Sequence, residues 1–167
     1  GQLKECGVMK KRLEGNRRAR EEFGVPCRES FVVEGQIDYK SGVAMAASLA
    51  RSSLGATAVV AAADILAIGA VRGFYDAGLR VPEDMSIIGF DDLPFCAHTS
   101  PPLTTIRQDR LQLGKSGYYA LDSLLNGVPI SSLLLHGQLI LRGSTGPAPG
   151  SPQTDQKTKD QGPDSGP

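Results

Sequence analysis

The stretch 57-TAVVAAADILAIGAVRGFYDAGLRVPEDMSIIGFDD-92 decides the fold. Residues 57–62 are a short apolar run of small and β-branched side chains, the pattern of a strand buried on both faces. Asp64 follows where a helix N-cap belongs, since a short carboxylate accepts from the free amides of a first turn. Ile65, Ile68, Val71 and Tyr75 recur at helical spacing and predict one apolar stripe. Gly78 is placed to end that helix in the left-handed conformation, and Pro82 keeps it from resuming. Residues 85–90 form a second buried strand, closed by Asp91 and Asp92. Two strands joined by a crossover helix are expected to be parallel and right-handed. Asp64 and Asp91 then emerge at the carboxyl ends of neighbouring strands, the edge where open α/β sheets bind ligands.

Upstream, residues 10–23 predict a charged helix carrying Arg12, Arg17, Arg18 and Arg20, closed by Gly24 and Pro26. Glu14, Glu21 and Glu22 balance the basic cluster, which makes a solvated face the plainer reading than a nucleic-acid patch. Residues 31–34 read as a strand, 35–38 as a loop and 38–51 as an amphipathic helix. Downstream, a loop with Cys96 and His98 leads to an extended segment at 103–108. A helix over 109–125, ended by Asn126-Gly127, should turn Leu113, Ala120, Leu121 and Leu124 inward. Strands are expected at 133–135 and 138–142. From Ser144 proline, glycine, serine and charge dominate, and such a segment cannot offset its ordering entropy of about 1–2 kcal/mol per residue by burial.

The 167 residues are one domain's worth, and 40% are hydrophobic, enough for a core. A formal net charge of zero favours neither nucleic acid nor an anionic membrane. Cys6, Cys27 and Cys96 are odd in number and far apart, which argues for free thiols rather than a disulfide framework or zinc site. No apolar run approaches the roughly 20 residues that span a bilayer, so a soluble, cytoplasmic protein is expected.

The same residues carry a resemblance. AAADILAIGAVRGFYDAGLRVPEDMSIIGFDD followed by PPLTTIRQD, with KKRLEGNRRA and VVEGQIDYKSG before it and LILRGST after it, resembles the effector-binding domain of LacI/GalR-type bacterial transcription regulators. The resemblance covers about residues 10–145. It implies an α/β, periplasmic-binding-protein-like fold of type I, a parallel sheet with helices on both faces. Nothing in the chain resembles the family's helix-turn-helix headpiece or the first half of its sensor, so a truncated C-terminal part is expected. Its first strand would be missing, leaving an open sheet edge. The implied division is 1–106 as the C-terminal sensor subdomain, 107–137 as a piece of the N-terminal one, 138–143 as the returning strand and 144–167 as a disordered tail.

By resemblance the effector site comprises Arg12, Ile37, Ala63, Asp91 and Gln108. A guanidinium fork suits hydroxyls or carboxylates. A carboxylate at position 91 can accept two hydroxyl hydrogen bonds from a sugar-like or nucleoside-like effector. Ile37 stands where many members have a stacking aromatic, and Ala63 where they usually have an asparagine. Ile68 and Thr99 fall on the family's dimer interface. The implied function is effector sensing by a repressor acting as a homodimer, with operator DNA reached only through a headpiece, and with no metal, cofactor, catalysis or membrane partner. Two other classes remain open. One is a stand-alone periplasmic-type sugar-binding protein. The other is a metal-dependent α/β enzyme using Asp64, Asp91 and Asp92 around a divalent ion.

Overall fold

The computed structural model describes residues 7–26 and 28–150. Cys6, Cys27 and residues 151–167, the greater part of the expected tail, lie outside the described residues. The chain runs through α1 (Gly7–Glu22), α2 (Tyr39–Ala50), β1 (Ala58–Val60), α3 (Asp64–Asp76), β2 (Ser86–Asp91), β3 (Thr104–Arg107), α4 (Arg110–Leu125) and β4 (Gln138–Ile140). The strands form one sheet in the order β1-β2-β3-β4. The first three are parallel, with Val59 opposite Ile87 and Gly89 opposite Thr105, and β4 returns antiparallel on β3. The order and parallel pairing of the central strand–helix–strand unit are therefore as expected, and its carboxyl ends share one edge, but β1 is not buried on both faces: Ala58 is exposed and Val60 is 62% exposed.

The helix of that unit turns a different face inward. Leu66, Ala67, Ala70 and Phe74 are buried, while Tyr75 is 73% exposed. The cause is backbone contact with α2. A Cβ at Gly42 would overlap the Leu66 carbonyl, one at Gly69 the Tyr39 carbonyl, and one at Gly73 the Val43 carbonyl. Glycine at these three places lets the two helices approach more closely than any side chain would allow. The core they cover holds Phe74, Met85, Ile87, Cys96 and Leu103, with Ile68 and Val71 packed partly buried against it.

Several expectations are corrected. Residues 29–31 form a short 3-10 helix and 32–34 run on outside the sheet, because among the described residues no strand lies beside them to complete a ladder. The expected strand at 133–135 is likewise absent, and Leu133 and Leu134 are exposed. None of the residues of α4 is buried; Leu113, Leu121 and Leu124, expected inward, are all more than half exposed. The tail does not begin at Ser144. That residue is fully buried, its Oγ accepts from Thr104 N at 2.8 Å and donates to the Ile87 carbonyl at 2.6 Å, and its carbonyl accepts from Ile87 N at 2.7 Å. A serine with three good partners stays in the fold whatever the composition around it.

Candidate functional site

β2 ends on Asp91, and the next strand over ends on Arg107 in register with it. Gln108 follows directly and donates from Nε2 to Asp91 Oδ1 at 2.9 Å. From the far end of the sequence Arg12, on α1, places a terminal nitrogen 3.6 Å from the same oxygen. Its guanidinium lies 3.7 Å from the centroid of the Phe90 ring, and Nη1 donates to the Ala62 carbonyl, two residues past the end of β1. A cation over an aromatic face and a fixed carbonyl acceptor together hold that fork in one orientation. The Arg12 and Asp91 side chains retain 21% and 32% exposure, so the pair is partly desolvated but open to a ligand.

Of the five expected effector residues, Arg12, Asp91 and Gln108 thus converge. Ala63 is buried next to the carbonyl that Arg12 grips and caps α3 with no side-chain hydrogen bond. Ile37 is 41% exposed in the loop leading into α2 and contributes no polar atom. Ile68 packs on the core and Thr99 folds back on its own loop, its hydroxyl 3.0 Å and 2.8 Å from the Cys96 and Pro101 carbonyls.

The other two acids have separate roles. Asp64 is not the N-cap of α3, which is Ala63. Its carboxylate is fully buried and accepts from Thr105 Oγ1 at 2.5 Å, Leu93 N at 2.8 Å and Cys96 Sγ at 3.1 Å. It staples α3, the loop after β2 and β3 into one unit. Burial, then the hydrogen bond and charge of Asp64, push the Cys96 thiol up to about 12. Asp92 takes Arg107 Nε at 2.6 Å on one oxygen and an Arg142 terminal nitrogen at 2.7 Å on the other. Burial acts to raise its pKa, but the hydrogen bonds and charges of Arg142 and Arg107 outweigh it and hold the carboxyl below its usual range.

Asp91 and Asp92 have φ of 114° and 53°, unusual for non-glycine residues. Such backbone costs on the order of 1–3 kcal/mol per residue and persists only where surrounding contacts over-determine it. The three acids therefore point at three different partner sets, not at a shared cation. Among the described residues no cluster of three His, Cys, Asp or Glu could hold a metal ion. A hollow of about 240 Å³ lies elsewhere, on the uncovered apolar sheet face by Val60, Ile88, Leu139 and Leu141, and includes none of the expected site residues.

Arg107, Arg142 and Thr105 escaped sequence reasoning. The signal for them is strand register, which the sequence does not display.

A family profile described as a periplasmic-binding-protein-like domain matches residues 2–145. The ribose operon repressor of Haemophilus influenzae is 35% identical over 149 residues, covering 86% of this chain and 44% of that protein. The HTH-type transcriptional repressor PurR of Actinobacillus pleuropneumoniae is 36% identical over 144 residues, covering 82% of this chain and 42% of that one. Among solved structures, a cellobiose complex of the transcriptional regulator CelR superposes with a TM-score of 0.75 at 31% identity, over 81% of this chain and 42% of that one. The lac repressor dimer bound to operator and the anti-inducer ONPF gives a TM-score of 0.75 at 30% identity, over 83% of this chain and 48% of that one. The chain spans less than half the length of these relatives.

Proposed function

The chain belongs to the periplasmic-binding-protein-like family of LacI-type transcription repressors, as their effector-binding domain, and from that premise we propose that Arg12, Asp91 and Gln108 are its effector contacts. The observation that supports this is their convergence on one carboxylate oxygen at the carboxyl edge of the parallel strands. A fixed guanidinium beside a half-open carboxylate and a carboxamide offers donors and acceptors to a hydroxyl-rich molecule, sugar-like or nucleoside-like. The relatives named for ribose and solved with cellobiose fit that class. Ala63 and Ile37 then contribute apolar wall, so the effector lacks both the polar contacts of an asparagine and the stacking of an aromatic.

In this reading residues 107–137 belong to a neighbouring subdomain, and effector binding shifts the orientation of the two. Two copies pair through the surfaces of Ile68 and Thr99, and a helix-turn-helix headpiece of the whole protein meets operator DNA in the cytoplasm. Catalysis plays no part. Among the described residues no helix is long and apolar enough to cross a membrane.

The test is isothermal titration of the chain with pentoses, hexoses, disaccharides, purine bases and nucleosides. Asp91→Ala should weaken any ligand found by about 10- to 100-fold, the worth of one charge-assisted hydrogen bond of about 1.5–3 kcal/mol. Unchanged affinity in that variant refutes the assignment.

A further inference from the structure

The acids that close β2 divide their work between ligand edge and scaffold. Arg107 is the last residue of β3, and Arg142 stands just beyond β4. Between these two arginines the chain leaves the sheet, forms α4 and returns, and α4 buries none of its residues. The excursion is therefore joined to the body at its roots: by the short β3–β4 ladder, by the hydrogen bonds of Gln108 to Asp91 and of Arg142 N to Thr104 Oγ1, and by the carboxylate that both arginines share. That carboxylate, on Asp92, is 8% exposed, and Arg142 also donates to the Leu103 carbonyl at 2.7 Å. A charge held this far from water by one partner on β3 and another just past β4 resists sliding, because displacing either arginine leaves the other charges without a partner.

Asp92 is also the second residue of the positive-φ corner. Immediately before it, Asp91 meets Gln108, the first residue of the excursion, and Arg12. Immediately after it, Leu93 N is held by Asp64. Position 92 therefore fixes both the direction of the Asp91 carboxylate and the lie of the roots.

We propose that Asp92 is a positioning residue, which through Arg107 and Arg142 sets the orientation of the α4 excursion relative to the sheet and keeps Asp91 aimed at Arg12 and Gln108. This deepens the proposed effector site, on which it depends only for its consequence. The orientation itself is read without any ligand, so the two can fail separately.

The experiment uses the full chain with Cys6 and Cys27 replaced by serine and nitroxides at Tyr75→Cys on α3 and Lys115→Cys on α4, both exposed. Pulsed electron-electron dipolar spectroscopy then gives the distance distribution between body and excursion. A second label pair, at positions 48 and 75, monitors the body alone. Asp92→Asn keeps the shape and removes the charge, and should widen the body–excursion distribution about twofold while the body pair stays at its original width. Arg107→Gln alters a half-exposed side chain at one root, is compatible with an intact core, and should widen it in the same sense. Wild-type width in both variants, or equal widening of the body pair, overturns the proposal.

Discussion

Replacing Asp64 with alanine tests the claim that one buried carboxylate staples three segments together. The side chain is fully buried at the first turn of α3, where the helix dipole favours negative charge. Removing it orphans the Leu93 amide, which cannot turn elsewhere, and the Thr105 hydroxyl, which can rotate but sits in a fully buried site. Hydrogen bonds to charged groups are worth about 1.5–3 kcal/mol each, and the Cys96 thiol, a weak donor, adds less. Relief of the buried charge offsets part of the loss, which leaves about 3–5 kcal/mol of destabilisation, in the range seen when a buried charged network loses one member. With a urea slope of about 2 kcal/mol/M the unfolding midpoint should fall by about 2 M, without a change in slope. Asp64→Asn keeps one acceptor oxygen and should cost about half as much, because its amide must face at least one of the donors. Urea titrations followed by far-UV circular dichroism give both numbers. A loss below about 1 kcal/mol for the alanine variant would refute the staple, since even one orphaned buried donor costs more than that.

Three further outcomes follow from the same contacts. Gly69→Ala, whose Cβ would overlap the Tyr39 carbonyl, should destabilise by about 1–3 kcal/mol, whereas Gly15→Ala on α1, which meets nothing within 4 Å, should stabilise by up to about 1 kcal/mol; thermal unfolding of both reads the sign. Asp92, with its carboxyl below the usual range, contributes stability above the unfolded value near 3.9 and loses it as pH falls through the lower folded value, so Asp92→Asn should flatten the acid limb of the stability curve below about pH 4 and leave its shape between pH 6 and 8 unchanged. Cys96, raised to about 12, is protonated in the fold up to strongly alkaline pH, so stability should fall as pH rises above about 9, where the unfolded thiol ionises and the folded one does not, and iodoacetamide at pH 8 should label Cys96 only after denaturation, as mass spectrometry of the digest would show.

The central unit was legible because its signals agree at every level: an apolar run, a helical period, Gly78 with φ of 80° just past the helix end, and a second apolar run. The wrong helix face has a physical origin. The large residues Ile65, Ile68, Val71 and Tyr75 predict an apolar stripe, while the contact with α2 is made by small residues. Gly69 and Gly73 bring two backbones together, and large side chains are then displaced to the flank of the interface rather than its centre. The failed strands at 31–34 and 133–135 share another cause. Alternation and β-branching describe a residue's fitness for a ladder, but a strand exists only when a neighbour supplies the other half of the hydrogen bonds.

At the site the division is sharper. That Asp91 and Asp64 emerge along one edge follows from the handedness of a crossover, which is a property of every such unit. Which acid faces the opening and which faces the core follows instead from a one-residue difference in register and from the partners each happens to meet. Asp64 ends one residue inside its helix, close enough to Thr105 and Leu93 to be fully consumed by the interior. Asp92 stands beside two arginines from β3 and the segment after β4, and both its oxygens are taken. Asp91 alone keeps an engaged oxygen shared by Arg12 and Gln108 while a third of its side chain reaches solvent. Three aspartates of equal chemistry thus acquire three different environments from position alone.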